Sequence, residues 1–144
     1  MADILRRRTA VKVKQAEEGE RLNLATAYIA PPNRHLLVNA DRTLSLSQSE
    51  LVHFVRPSAD LLFESVAASF KDRAIAVVLS GTGSDGSMGV KAIKKMGGTV
   101  IAQDENSSEY FGMPSAAAQS ADFVLPLEAI GPALVTLFTR GDVE

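Results

Sequence analysis

Apolar residues and their spacing divide the chain into alternating extended and helical segments. Residues 27–30, 35–38 and 43–46 are short, apolar-rich stretches, each predicted as a strand. The turn Asn39-Ala40-Asp41-Arg42 joins the last two. It predicts a β-hairpin, because Asn and Asp stabilise turns with their own side chains. Pro31-Pro32-Asn33 blocks a helix between the first two strands. Ser58 stands where a helix over residues 59–70 needs a cap, and Leu62, Val66 and Phe70 recur at the four-residue spacing of one helical face. Residues 74–79 read Ala-Ile-Ala-Val-Val-Leu. Such an unbroken apolar run predicts a central parallel strand covered on both faces.

A glycine-rich loop, residues 80–86, then leads into a helix ending near Met96, with Met88, Ala92 and Met96 spaced by four. Gly97-Gly98 closes it as a left-handed cap. Residues 99–103 and 123–127 are two further strands, and Pro132 fits the first turn of a last helix running to about Arg140. Residues 2–9 read as the end of a helix carrying Arg6, Arg7 and Arg8. The strand–helix alternation predicts an α/β fold: a mostly parallel, doubly wound (Rossmann-like) sheet with flanking helices, plus the antiparallel hairpin. There is no linker or repeat, so residues 1–144 are expected to form a single domain.

Composition narrows the function classes. With 46% hydrophobic and 22% charged residues, the chain is expected to fold throughout. A net charge of −2 supplies no basic field for nucleic acid. The absence of cysteine excludes disulfides and thiol sites and fits a reducing cytoplasm. No apolar run approaches the roughly 20 residues that span a bilayer, so no membrane insertion is expected. The opening Met-Ala-Asp-Ile-Leu-Arg-Arg-Arg lacks the apolar stretch of a signal peptide.

Open α/β sheets place their chemistry at the carboxyl ends of the strands. Two loops qualify, residues 80–86 and 103–114. The first contains Gly81, Gly83 and Gly86 in a G-x-G-x-x-G spacing, and Asp104 ends the next strand where a dinucleotide fold keeps its ribose-binding acid. Asp85 opposes that reading. Two unit charges about 4 Å apart at an effective dielectric near 20 repel by roughly 4 kcal/mol. A helix N-terminus returns only about 0.3–1 kcal/mol in exposed geometry. Asp85 instead suits two roles that can coexist: an N-cap of the following helix, and the carboxylate that orients a histidine in a hydrolytic triad.

The rest of a triad is not evident. His35 and His53 are lone histidines, and a lone histidine in a loop or strand is usually structural. Ser80 and Ser84 lie in the glycine loop but in no G-x-S-x-G elbow. No paired histidines or acidic cluster suggest a metal, and no cofactor is implied.

Several ordered motifs carry a resemblance. Ser80-Gly81-Thr82-Gly83-Ser84-Asp85-Gly86-Ser87-Met88-Gly89 resembles the T-G-x-G-x-D-G-x-x-G loop of chemotaxis protein-glutamate methylesterases of the CheB type. The stretch from Gly97 to Glu105, Gly112-Met113-Pro114 with Ala116-Ala117, the stretch from Tyr28 to Leu36, and Arg56-Pro57-Ser58-Ala59-Asp60 are similar to that family in the same order. The likeness extends from about Glu17 to Ile130.

The resemblance implies hydrolysis of glutamate methyl esters on the cytoplasmic region of chemoreceptors, with glutamine deamidation in some members. It implies a Ser-His-Asp triad in which Asp85 is the aspartate. Gly81, Thr82, Gly83, Gly86, Gln103, Asp104, Glu105, Met113 and Pro114 are then residues of the active-site or substrate-binding loops. Many members carry methionine where this chain has Thr82. The segments bearing the family's serine and histidine have no match here, nor does its receiver domain, so the chain resembles the C-terminal part of the catalytic domain. By itself it is expected to be inactive. A short protein that binds a receptor or partner without hydrolysis is the alternative. Strand 74–79, deprived of a neighbour, is expected to drive self-association, most simply as a dimer.

Overall fold

The computed structural model describes residues 11–48 and 56–143. The N-terminal arginines and His53 lie outside the described residues. Strands β1 (Lys12–Gln15) and β2 (Thr26–Ile29) pair in parallel, β3 (His35–Val38) and β4 (Leu44–Ser47) form the antiparallel hairpin, and β5 (Ile75–Val78), β6 (Thr99–Gln103) and β7 (Phe123–Leu125) form a parallel sheet in that order. Helices α1 (Ala59–Phe70), α2 (Ser87–Lys95), α3 (Gly112–Ala118) and α4 (Leu127–Val143) alternate with the later strands. The α/β class and the hairpin are as the residue pattern predicts.

Local chemistry explains the hairpin. Asp41 Oδ1 accepts from the Thr43 amide at 3.1 Å and its hydroxyl at 2.6 Å, and the Asn39 amide donates to the Thr43 carbonyl at 2.9 Å. The arrangement registers His35 opposite Ser47 and Val38 opposite Leu44.

The main core lies between the β5–β6–β7 sheet and helices α1 and α2. Ala76, Val78, Val100 and Ala102 turn one sheet face toward Ala67, Val90 and Ile93. Full burial of a side chain such as Val90 or Ile93 contributes on the order of 1.5–3 kcal/mol. Gly89 lets α1 and α2 approach closely: an added Cβ there would stand 2.6 Å from Phe63 Cβ and 3.1 Å from the Asp60 backbone. A second cluster, Ala16, Leu36 and Leu44, packs the hairpin with Tyr28 and Leu62.

Four expectations need correction, and one strand is additional to them. Strand β5 is not central among the described residues: it pairs with β6 alone, and its burial alternates, with Ala76 and Val78 buried but Ile75 and Val77 only partly so. Helix α2 does not bury Met88, Ala92 and Met96 as a stripe. Gly89, Val90 and Ile93 are buried and Met88 is 54% exposed, because α1 lies over the glycine side. The last helix starts at Leu127, with Pro132 inside it, so the proline is not in its first turn. The strand predicted over residues 123–127 stops at Leu125 because Pro126 and the helix start follow. Strand β1 was not anticipated: only Val13 of Lys-Val-Lys-Gln is buried, too short an apolar signal to register.

Candidate active site

Asp85 follows β5 and precedes α2, but it does not cap α2. The N-cap of α2 is Gly86 at φ +100°, a residue with no side chain to make the bond itself. The Asp85 carboxylate reaches instead to the start of α1. Its Oδ2 accepts from the Ala59 amide at 2.7 Å, and its Oδ1 accepts from the Asp60 amide at 3.2 Å and the Ser58 hydroxyl at 2.9 Å. Ser58, expected to cap α1 with its own side chain, makes no such bond and passes that role to Asp85. Capping of this kind contributes about 1 kcal/mol, more where an acid meets the positive helix end in partly buried surroundings.

Asp60 returns the contact. Only 4% exposed, it accepts from the Gly89 amide in the first turn of α2 at 2.7 Å. Each aspartate thus caps the helix adjoining the other. The amide that a bound pyrophosphate would seek at α2 is already occupied by a carboxylate, and Asp104 is engaged elsewhere, so the G-x-G-x-x-G spacing is used for helix packing and loop contact.

Behind Asp85 lies a buried histidine. His35 is fully buried, and its Nδ1 accepts from the Ser58 amide at 3.1 Å, so a proton on that ring sits on Nε2. Asn33 Oδ1 accepts from Arg56 Nε at 3.1 Å and Nη2 at 2.8 Å. The segments around Asn33–His35, Arg56–Asp60 and Asp85 therefore converge. Ala30, Leu36, Pro57, Ser58, Ala59, Leu62 and Asp85 line a pocket of about 240 Å³.

The second loop is laced to the first. Met113 and Gly81 come together, the Met113 amide donating to the Gly81 carbonyl and the Gly81 amide to the Tyr110 carbonyl, both at 2.9 Å. The Tyr110 amide also donates to Ser80 Oγ at 2.9 Å. Gly112 sits where a Cβ would lie 3.0 Å from the Gly83 backbone, so a larger residue would force the loops apart. Pro114 is buried beneath them, while Thr82, Gly83, Ser84 and Glu105 are exposed on the rim. Asp104 Oδ1 accepts from the Ser107 amide at 3.0 Å and hydroxyl at 2.7 Å, which folds its own loop. Gln103, 2% exposed, faces loop backbone and Ser107.

Sequence reasoning named the members of both loops and Asp85. It gave no role to Asp60 or Ser107, whose partners are fixed by tertiary approach and turn geometry. Among the described residues no group of three or more His, Cys, Asp or Glu could hold a metal, and no helix is long and apolar enough to cross a membrane.

Fold and loops together define an α/β domain with its candidate chemistry at the carboxyl ends of parallel strands. The chain belongs to the CheB methylesterase family, whose sequence model matches residues 1–134. It is 43% identical over 136 residues to a Leptospira interrogans protein named for protein-glutamate methylesterase and protein-glutamine glutaminase, covering 93% of this chain and 70% of that one. It is 45% identical over 134 residues to the protein-glutamate methylesterase/protein-glutamine glutaminase of the group 3 operon of Rhizobium meliloti, of whose length it spans 38%. Its structure matches the crystal structure of the Thermotoga maritima CheB methylesterase catalytic domain with a TM-score of 0.92 at 37% identity, covering 94% of this chain and 75% of that one.

Proposed function

We propose that the chain forms part of a methylesterase catalytic domain that hydrolyses glutamate methyl esters on chemoreceptor cytoplasmic regions, and that Asp85 is the carboxylate of its Ser-His-Asp triad. The observation that carries this reading is the fixed Asp85 carboxylate at the carboxyl end of β5, held by three donors beside the pocket. A triad carboxylate must be immobile to orient an imidazole. The serine and histidine come from chain other than the described residues. Ser58 is 2% exposed and already donates to Asp85, and the Nδ1 of His35 already accepts from a backbone amide. Thr82, Gly83, Glu105 and the second loop form the rim that meets the receptor.

The test is methanol release from methylated receptor membranes. This chain alone is expected to give no turnover above a no-protein control, because removing a triad's nucleophile and base removes most of its rate. Turnover well above the control would refute the assignment and direct attention to His35 or His53.

Self-association is proposed through the outer edge of β5. The Thr99 amide donates to the Ala74 carbonyl, so with the strand's two-residue period the backbone groups of Ile75, Val77 and Leu79 point away from β6. An apolar strand with an unpaired edge is a template for pairing with another chain.

A further inference from the structure

Gln103 has an arrangement unlike that of its neighbours on the second loop. It is the last residue of β6, 2% exposed, and all its side-chain polar atoms point at loop groups. Its Oε1 accepts from the Ser80 amide, the first residue of the glycine loop, at 2.8 Å. Its Nε2 donates to the Ser107 carbonyl at 2.7 Å and to Ser107 Oγ at 3.2 Å. Ser107 Oγ in turn donates to Asp104 and accepts from the Leu127 amide at 3.0 Å, which places the start of α4 in the same network. A buried amide with both ends satisfied is rigid, because every alternative orientation leaves a donor facing a donor or an acceptor facing an acceptor.

We propose that Gln103 is a positioning residue: its oxygen end sets the glycine loop that leads to Asp85, its nitrogen end sets the 104–110 turn, and its strand fixes the distance between them. It does not contact substrate. The importance of this spacing for ester hydrolysis rests on the function proposed above, whereas the spacing itself does not. Glutamine is required because no other residue of that length presents an acceptor to one loop and two donors to the other. Gln103→Glu keeps the acceptor for Ser80 but turns an oxygen toward the Ser107 carbonyl. Gln103→Leu removes both ends.

Residue-resolved amide hydrogen exchange on this chain separates the two roles without an activity assay. Losing one such hydrogen bond is expected to accelerate exchange of the amides it holds by roughly tenfold. Gln103→Glu should leave Ser80 protected and, by releasing the Ser107 carbonyl and hydroxyl, loosen the turn and so accelerate the Ser107 amide, bonded to Asp104 Oδ1, and the Leu127 amide, bonded to Ser107 Oγ. Gln103→Leu should accelerate all three. Ser107→Ala, a milder change at a half-buried site, should accelerate Leu127 and leave Ser80 unchanged. The Val90 amide, bonded to the Gly86 carbonyl at 2.9 Å, reports the integrity of the α1–α2 core and should not change in any variant. Acceleration of Ser80 in Gln103→Glu or Ser107→Ala with Val90 protected, or unchanged Ser80 and Ser107 in Gln103→Leu, would overturn the proposal. If Gln103→Leu exposes Val90 as well, the Ser107→Ala arm alone decides: Ser80 protected supports separate ends, and Ser80 exposed refutes them.

Discussion

Asp85 caps the helix that contains Asp60, and Asp60 caps the helix that follows Asp85. The two bonds, Asp85 Oδ2 to the Ala59 amide and Asp60 Oδ1 to the Gly89 amide, are both 2.7 Å. Helices α1 and α2 are joined at their N-termini by this exchange, and the glycine loop is anchored with them.

Removing either carboxylate should loosen both helices. Asp85→Ala leaves the Ala59 and Asp60 amides and the Ser58 hydroxyl without that acceptor, and a partly buried group left unpaired costs about 1–3 kcal/mol. Asp85→Asn keeps one oxygen and should cost about 1 kcal/mol. Asp60→Ala should cost about 1–2 kcal/mol through the lost α2 cap. Because the Asp60 amide is itself one of the donors to Asp85, and Asp60 caps the helix that follows Asp85, the double alanine variant should depart from additivity by at least about 0.5 kcal/mol. Urea unfolding midpoints of the single and double variants measure this. Strict additivity would show that the caps act independently.

Gly89→Ala tests the close helix approach. Alanine raises helix propensity by about 1 kcal/mol over glycine. Here its Cβ would stand 2.6 Å from Phe63 Cβ and 3.1 Å from the Asp60 carbonyl, neither the free end of a side chain. Overpacking of this kind costs about 1–3 kcal/mol, and with the Asp60 bond also stretched a net loss of stability is expected in thermal melts. A stabilised variant would mean that the two helices can separate without penalty.

Asp122 gives the clearest pH signature. Burial works against its charged form, but the Lys94 ammonium and the Val100 amide outweigh it, and its carboxyl is held below the usual range. A depressed carboxyl contributes stability above its unfolded value, about 3.9, and loses it as pH falls through the folded value. Wild type should therefore exceed Asp122→Asn in stability at pH 6, and the gap should narrow below about pH 4. Urea midpoints from pH 6 to pH 3 provide the comparison. A gap that widens on acidification would contradict the cause given.

The outer edge of β5, unpaired among the described residues, makes a prediction about assembly. Light scattering after size-exclusion chromatography at micromolar concentration should show a dimer. Val77→Arg, at the middle of the strand, should return a monomer, since charged residues on an edge oppose pairing. A sharp monomer peak for the unaltered chain, with cooperative unfolding, would show that the edge is covered internally.

How much was legible in the sequence depended on how local the cause was. The Asn39–Arg42 turn, the α1 span and the Gly97 left-handed cap at φ +89° follow from residues within a few positions of one another, and each appeared where the pattern placed it. The partners of the caps did not, because Asp85 serves an amide 26 residues away and Asp60 one 29 residues away. Asp85 carries the right chemistry for a cap, but chain spacing assigned it to the wrong helix, while Ser58 stands at the N-cap of α1 as expected and gives its hydroxyl to Asp85 instead of to the helix. The burial of β5 was overestimated for a related reason: an apolar run reports what a strand is built to pack against, and β6 is its one partner among the described residues.

Asp85→Asn in a longer form of the protein that carries the family's serine and histidine separates a triad carboxylate from a helix cap. Asparagine preserves most of the cap, so unfolding should shift by only about 1 kcal/mol. Methanol release from methylated receptors should fall by up to roughly 10⁴, since the histidine loses the group that holds its tautomer and stabilises its charge. Asp60→Asn, equally part of the capping exchange but remote from a triad role, should keep near-normal turnover. Near-normal turnover in Asp85→Asn as well would contradict the assignment and leave Asp85 as a cap alone.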